Sequence, residues 1–241
     1  MLSAQGKFKL PRGVVVNHFL NIKFPDKEVE KLSKSRGSAI WISDYLNSGM
    51  YADALRYYLT AISPETCRTV YQSDDLVKRY HSELGNVLGN LVSRTLTMAK
   101  KYLNATVCRP ANDTCCEVDK SLIRAVADAY RETTSLMQDF HFKQAQERIM
   151  ILARDCNKYL DSKAPWKTAD KDLATTEITL FLCFAALRST AIMLLPFIPE
   201  TAAHILRLLG EDASNLVWMD AQNIPINDFH VEEAIILFPR L

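Results

Sequence analysis

From Asp74 to Tyr102 the apolar side chains recur at spacings of three and four: Leu76, Tyr80, Leu84, Val87, Leu88, Leu91, Thr95 and Met98. That period predicts one long helix with a single buried stripe, because residues three and four apart share a helix face. Gly85 and Gly89 lie four apart on it. Two missing side chains on one face predict the close approach of another helix, despite a propensity cost of ~1 kcal/mol each. The same reasoning predicts helices over roughly residues 119–137 and 143–161. Two more are expected over about 172–195 and 199–209, with Gly210 as a C-cap for the last. With only 7 Gly and 9 Pro in 241 residues, few tight turns can interrupt them. A mainly α chain with a bundle of about five helices is expected. The tail from Ser214 to Leu241 is mixed and supports no assignment.

The front of the chain differs. Gly13 to Leu20 (GVVVNHFL) is β-branched and apolar, which predicts a buried strand. A polar loop follows, then Lys31-Leu32-Ser33-Lys34-Ser35-Arg36-Gly37, then a short helix from Ser43-Asp44 to near Gly49 and another over Tyr51 to Ile62. The net charge of +1 rules out a global electrostatic magnet for nucleic acid, so any RNA binding must come from local patches. Residues 1–36 form one, with eight Lys or Arg against three acids. The six cysteines form no CxxC pair and no Cys/His pattern, so no zinc site is expected. They read as free thiols of a reducing cytoplasm or organelle matrix. Met1 to Leu10 holds no long apolar core, so no signal peptide is expected. Ile178 to Pro199 is long enough to span a bilayer, but Arg188 interrupts it and Pro196 and Pro199 close it. A buried bundle helix, and no membrane, is the expectation.

Three segments carry chemistry. Lys31-Leu32-Ser33-Lys34-Ser35 makes a cationic loop rich in hydrogen-bond donors, which suits polyphosphate; by itself it is equally a solvated basic surface loop. Asn90 and Arg94 project from one helix face, offering an amide and a planar guanidinium to the edge of an unpaired base, or simply a polar bundle surface. In NKYLDSKAPWK, Asn157 to Lys167, Pro165 stops a helix and Trp166 follows, either as a platform for a splayed base or as a plug for the bundle end.

Taken together, these segments resemble methionyl-tRNA synthetases, class I aminoacyl-tRNA synthetases. The first is similar to the KMSKS signature with Leu32 in place of Met, the second to the family's Asn-x-x-x-Arg element, and the third to its N-x-Y-x-x-x-x-x-P-W element. Tyr51 to Leu59 (YADALRYYL) and Leu195 to Pro199 (LPFIP) resemble the family's connector helix and a late helix start. The resemblance covers roughly residues 11–210. It implies a helical-bundle anticodon-binding domain preceded by the C-terminal remnant of a Rossmann-type α/β catalytic domain. It divides the chain into 1–42 (catalytic-domain end with the signature loop), 43–72 (connector helices that contact the tRNA stem) and 73–241 (anticodon-binding domain).

It further implies that Lys31, Ser33, Lys34 and Ser35 bind ATP, with Mg2+ alongside, and that Lys31 and Lys34 are catalytic, stabilising charge as methionine is activated. Asn90, Arg94 and Trp166 would read the CAU anticodon of tRNA-Met. The sequence departs from the family in two ways. No His-x-Gly-His signature occurs among the five histidines, and Asn17-His18 stands where the family usually has His-Gly. The segments expected to form the methionine pocket are also missing. This chain alone is therefore expected not to charge tRNA, and a separate N-terminal catalytic half is a candidate partner. A non-catalytic tRNA-binding module on the same scaffold is the alternative, and a helical scaffold with no RNA role a third.

Overall fold

The computed structural model describes residues 11, 13–25, 27–35, 37–110, 115–224, 228–231 and 237–239. Its front is a small three-stranded sheet. β1 (Leu20–Ile22) pairs antiparallel with β2 (Glu30–Lys31) and parallel with β3 (Thr69–Tyr71). Two short helices, α1 (Ile42–Asn47) and α2 (Ala52–Ala61), lie between β2 and β3. Ile22, Tyr45, Leu55, Tyr58, Ile62, Tyr71 and Leu76 form one core under this sheet.

The buried strand expected over Gly13–Leu20 is not found. Only Leu20 joins the sheet, while Val14 and Val16 are 82% and 81% exposed. Backbone bonds tie this segment down only near its end, where His18 N donates to Pro64 O (2.8 Å) and Thr69 N to Phe19 O (3.3 Å). β-branched composition records fitness for a pleated, half-buried surface, and no second layer among the described residues covers Val14 to Val16.

The long helix is present but not uniform. α3 (Ser73–Arg79) continues through a stretch of wider i→i+5 turns (Tyr80–Gly89) into α4 (Asn90–Leu103). Its buried residues Leu76, Tyr80, Leu84, Leu88, Val92 and Leu96 step by fours. On a pure α-helix of 3.6 residues per turn each such step overshoots by ~40°. Wider turns rotate less per residue, so the mixture keeps the stripe facing the bundle. The close approach of another helix, expected at the two glycines, is not found there. A Cβ on Gly89 would lie 2.9 Å from the Phe238 ring, so the tail is what approaches, and a Cβ on Gly85 would have room.

α5 (Glu117–Gln138), α6 (Phe142–Lys163), the single turn α7 (Pro165–Thr168), α8 (Leu173–Leu194) and α9 (Pro199–Leu208) complete the bundle. α8 is long and apolar enough to cross a membrane, yet it is buried as the central helix. Its Arg188 pairs with Glu211 and donates to Asp220 O (2.8 Å), which keeps the buried cation satisfied. Gly210 (φ +81°) ends α9, its N–H donating to Arg207 O and that of Glu211 to Leu206 O, as the C-cap expectation required.

The tail closes over the bundle. β4 (Thr106–Val107) pairs with β5 (Phe229–His230), and Trp218 Nε1 donates to Thr134 Oγ1 (2.8 Å). α2 is clamped to the bundle: Asp53 Oδ2 accepts from Thr201 N (2.6 Å), and Arg56 donates to Pro196 O and Phe197 O (2.8 and 3.0 Å).

Candidate nucleic-acid interface

The i→i+5 stretch hands over to α-geometry at Asn90, the first residue of α4, so Asn90 and Arg94 begin a regular helix with one turn between them. Opposite them run the last turns of α6. Asn157 Nδ2 donates to Val87 O and to Ala153 O (3.1 Å each), which satisfies a carbonyl within the widened turns. Asn157 Oδ1 accepts from Asn90 Nδ2 (3.4 Å). One turn further, Arg94 Nη2 meets Asp161 Oδ1 at 2.6 Å. Ala164 then adopts the left-handed conformation (φ 44°), and Pro165 opens α7 and puts Trp166 beside Arg94. The guanidinium lies 5.3 Å from the Trp166 ring centroid, within cation–π range. Trp166 stays 42% exposed.

Asn90, Arg94 and Trp166, expected to act together, are thus brought together from two elements, α4 and α7, onto one solvent-facing surface. Two further members were not among the expected site residues: Asn157, noted only as the start of the third element, and Asp161. The signal existed: Asn-x-x-x-Arg on α4 is mirrored by Asn-x-x-x-Asp on α6, with amides meeting at one rung and opposite charges at the next. The surface can offer an amide edge, a guanidinium fork and an exposed aromatic ring, which are the groups that hydrogen-bond and stack unpaired bases.

Behind this surface lies a buried ion pair. Asp119 accepts from Tyr159 Oη (2.6 Å) and Cys116 N (3.0 Å) and pairs with Lys163 Nζ (3.0 Å), and its side chain is 2% exposed. Burial pushes its carboxyl up, but the hydrogen bonds from Tyr159, Cys116 and Lys163 together hold it below the usual range. Burial and the Asp119 hydrogen bond push the Tyr159 phenol well up, so it remains a donor.

The Lys31–Ser35 segment forms a tight hairpin at the sheet. Ser33 and Ser38 exchange backbone hydrogen bonds (3.1 and 3.0 Å), and Gly37 (φ 69°) closes the turn, its N–H donating to Lys34 O. Buried Ser38 donates its hydroxyl to Lys31 O (3.0 Å). Lys31 Nζ sits 5.1 Å from the Phe19 ring centroid and Lys34 Nζ 5.3 Å from that of Trp41. Both lysines remain exposed, with Ser33 and Ser35 hydroxyls 3.2 Å apart between them. Ser38, Phe19 and Trp41 went unread in the sequence. This hairpin stands on the front sheet, apart from the bundle surface that carries Asn90, Arg94 and Trp166.

Comparison with known proteins covers both regions. The family model for class I tRNA synthetases (M) matches residues 1–96, and that for the anticodon binding domain of methionyl tRNA ligase matches residues 109–235. The methionine–tRNA ligase of Pyrococcus abyssi is 36% identical over 88% of this chain and 29% of its own length. That of Bacteroides fragilis (strain NCTC 9343) is 35% identical over 100% of this chain and 35% of its own. The crystallised methionyl-tRNA synthetase of Mycobacterium tuberculosis, in complex with methionyl-adenylate, superposes with a TM-score of 0.84 at 27% identity, over 99% of this chain and 46% of that one. The chain therefore spans about a third of the length of these curated relatives. Because the methionine-specific anticodon model alone accounts for more than half of the 241 residues, and the synthetase model takes up the front, the chain belongs to the methionyl-tRNA synthetase family.

Proposed function

We propose that this chain supplies the anticodon-reading domain and the signature loop of a methionine–tRNA ligase, which activates methionine with ATP and transfers it to tRNA-Met. The observation that carries the reading is the convergence of Asn90, Arg94 and Trp166, with Asn157 and Asp161 bracing the first two. Trp166 stacks on one anticodon base, and Asn90 and Arg94 bind base edges. Binding requires Arg94 to exchange or share its Asp161 partner, which is feasible because that pair is exposed. On the front hairpin, Lys31 and Lys34 neutralise the ATP phosphates while Ser33 and Ser35 donate to them. Mg2+ would accompany the ATP, bound through its phosphates. Residues 1–42, 43–72 and 73–241 correspond on this reading to catalytic-domain end, connector and anticodon domain. The rest of the ligase, on the same polypeptide or another, supplies the methionine pocket and the other half of the ATP site. We place the protein in the cytoplasm.

The test is a titration of the purified chain with tRNA-Met and with a CAU-to-CUA anticodon variant at physiological salt. The expected result is preference for CAU. Equal affinity for both RNAs would leave a tRNA-binding module without anticodon reading, and no binding at all would leave a scaffold.

A further inference from the structure

The seam between the long helix and α6 does not end at the anticodon surface. On α6, Phe142, Gln146, Met150, Arg154, Asn157 and Asp161 follow one another at steps of four or three, so they share a face. On the facing helix Arg79, Glu83, Asn90 and Arg94 accompany them. Toward the connector the seam opens into a cleft of about 330 Å³, lined in part by Tyr57, Arg79, Glu83, Lys143, Gln146 and Arg154.

Its cations differ in kind. Arg79 is held by Asp75 and Glu83 (3.2 Å each), and Glu83 also accepts from the Tyr57 hydroxyl. Lys143 and Arg154 have no ion-pair partner among the described residues. Gln146, 2% exposed, donates its amide to Tyr57 O (3.1 Å), while its Oε1 is buried and unpartnered among the described residues. A buried acceptor without a donor costs ~1–3 kcal/mol, and a ligand hydroxyl or amino group would remove that cost. The cleft thus offers two cations outside any ion pair among the described residues and the buried Gln146 acceptor, with the Glu147 carboxylate also in its lining. A ribose-phosphate unit of RNA, with its anionic oxygens and 2′-hydroxyl donor, has the complementary groups. By the 1.5 Å rise per residue, Arg154 lies on the order of 10 Å and Lys143 on the order of 27 Å from Asp161 along α6, so a strand leaving the anticodon surface along the seam would meet both.

We propose that this cleft is a second RNA subsite, in which Lys143 and Arg154 bind backbone phosphates of the same tRNA, independently of sequence. This rests on the tRNA-binding reading above but not on anticodon discrimination. The test is a Lys143→Ala/Arg154→Ala variant, titrated with CAU and CUA tRNA across a salt series, with circular dichroism confirming the fold. Affinity should fall by roughly 3- to 30-fold for both RNAs alike, and the slope of log affinity against log salt should flatten by about 1 to 2. The CAU/CUA ratio should not change, and Lys143→Arg/Arg154→Lys should restore affinity. Unchanged affinity and slope, or a loss confined to the CAU/CUA ratio, would overturn the subsite. If the unmodified chain shows no CAU preference, the anticodon reading fails, while the effect of the variant on affinity and slope still decides the cleft.

Discussion

The last turn of α6 supplies two ion pairs that face opposite ways. Lys163 turns inward to Asp119, where both side chains are largely withdrawn from water and the carboxylate takes two further donors. Asp161 turns outward to Arg94 and remains 65% exposed, with the guanidinium against Trp166. A buried carboxylate with every acceptor site used is structural, because removing a partner strands a charge. An exposed pair contributes ~0–1 kcal/mol and can be exchanged for a ligand at little cost. Two salt bridges a few residues apart therefore divide into one that holds the bundle end together and one that keeps Arg94, the proposed binding residue, in place.

That contrast can be broken in graded steps. The largest effect is expected for Asp119→Ala, which strands Lys163 and Tyr159. It should cost about 3–5 kcal/mol in denaturant unfolding, with the remaining folded protein keeping its tRNA preference. A change in preference at unchanged stability would reverse the assignment. Next, Trp166→Ala should weaken tRNA binding by about 1–3 kcal/mol in a filter-binding assay. Its melting temperature should move little, since the ring is already half open to solvent.

The pH dependence comes third. The Asp119 carboxyl is depressed in the fold, so its stabilisation is present above the ordinary carboxylate range and is lost as pH falls below about 4. Asp119→Asn should flatten that acid limb in thermal melts. The smallest effect is expected for Asp161→Asn on stability, under about 1 kcal/mol. A larger loss would show that the outer pair is structural too.

Much of the fold was legible because apolar period survives any tertiary arrangement. α5 and α6 fall where their three/four spacing put them, α8 and α9 near their expected bounds, and the Gly210 cap is where a positive φ was needed. Two features were not legible. Val14 to Val16 have strand composition, but burial is decided by what packs on them and not by the segment itself. The widened turns after Arg79 differ from an α-helix only in how far a stripe stepping by fours drifts, which an eye looking for threes and fours passes over.

At the candidate site, the amide, the cation and the ring could be named because their chemistry is specific. Asp161 could not, since a carboxylate on a helix surface is common, and its partner lies 67 positions away. The supports of the signature hairpin were hidden likewise: Phe19 and Trp41 matter through proximity to Lys31 and Lys34, which spacing alone does not reveal.

The central claim is that Arg94 and Trp166 form one reading surface. A double-mutant cycle of Arg94→Ala and Trp166→Ala, measured as affinity for CAU tRNA, tests it most directly. The account predicts a coupling energy above about 0.5 kcal/mol, with the double variant unable to tell CAU from CUA. Additive losses, or a double variant that still prefers CAU, would contradict it.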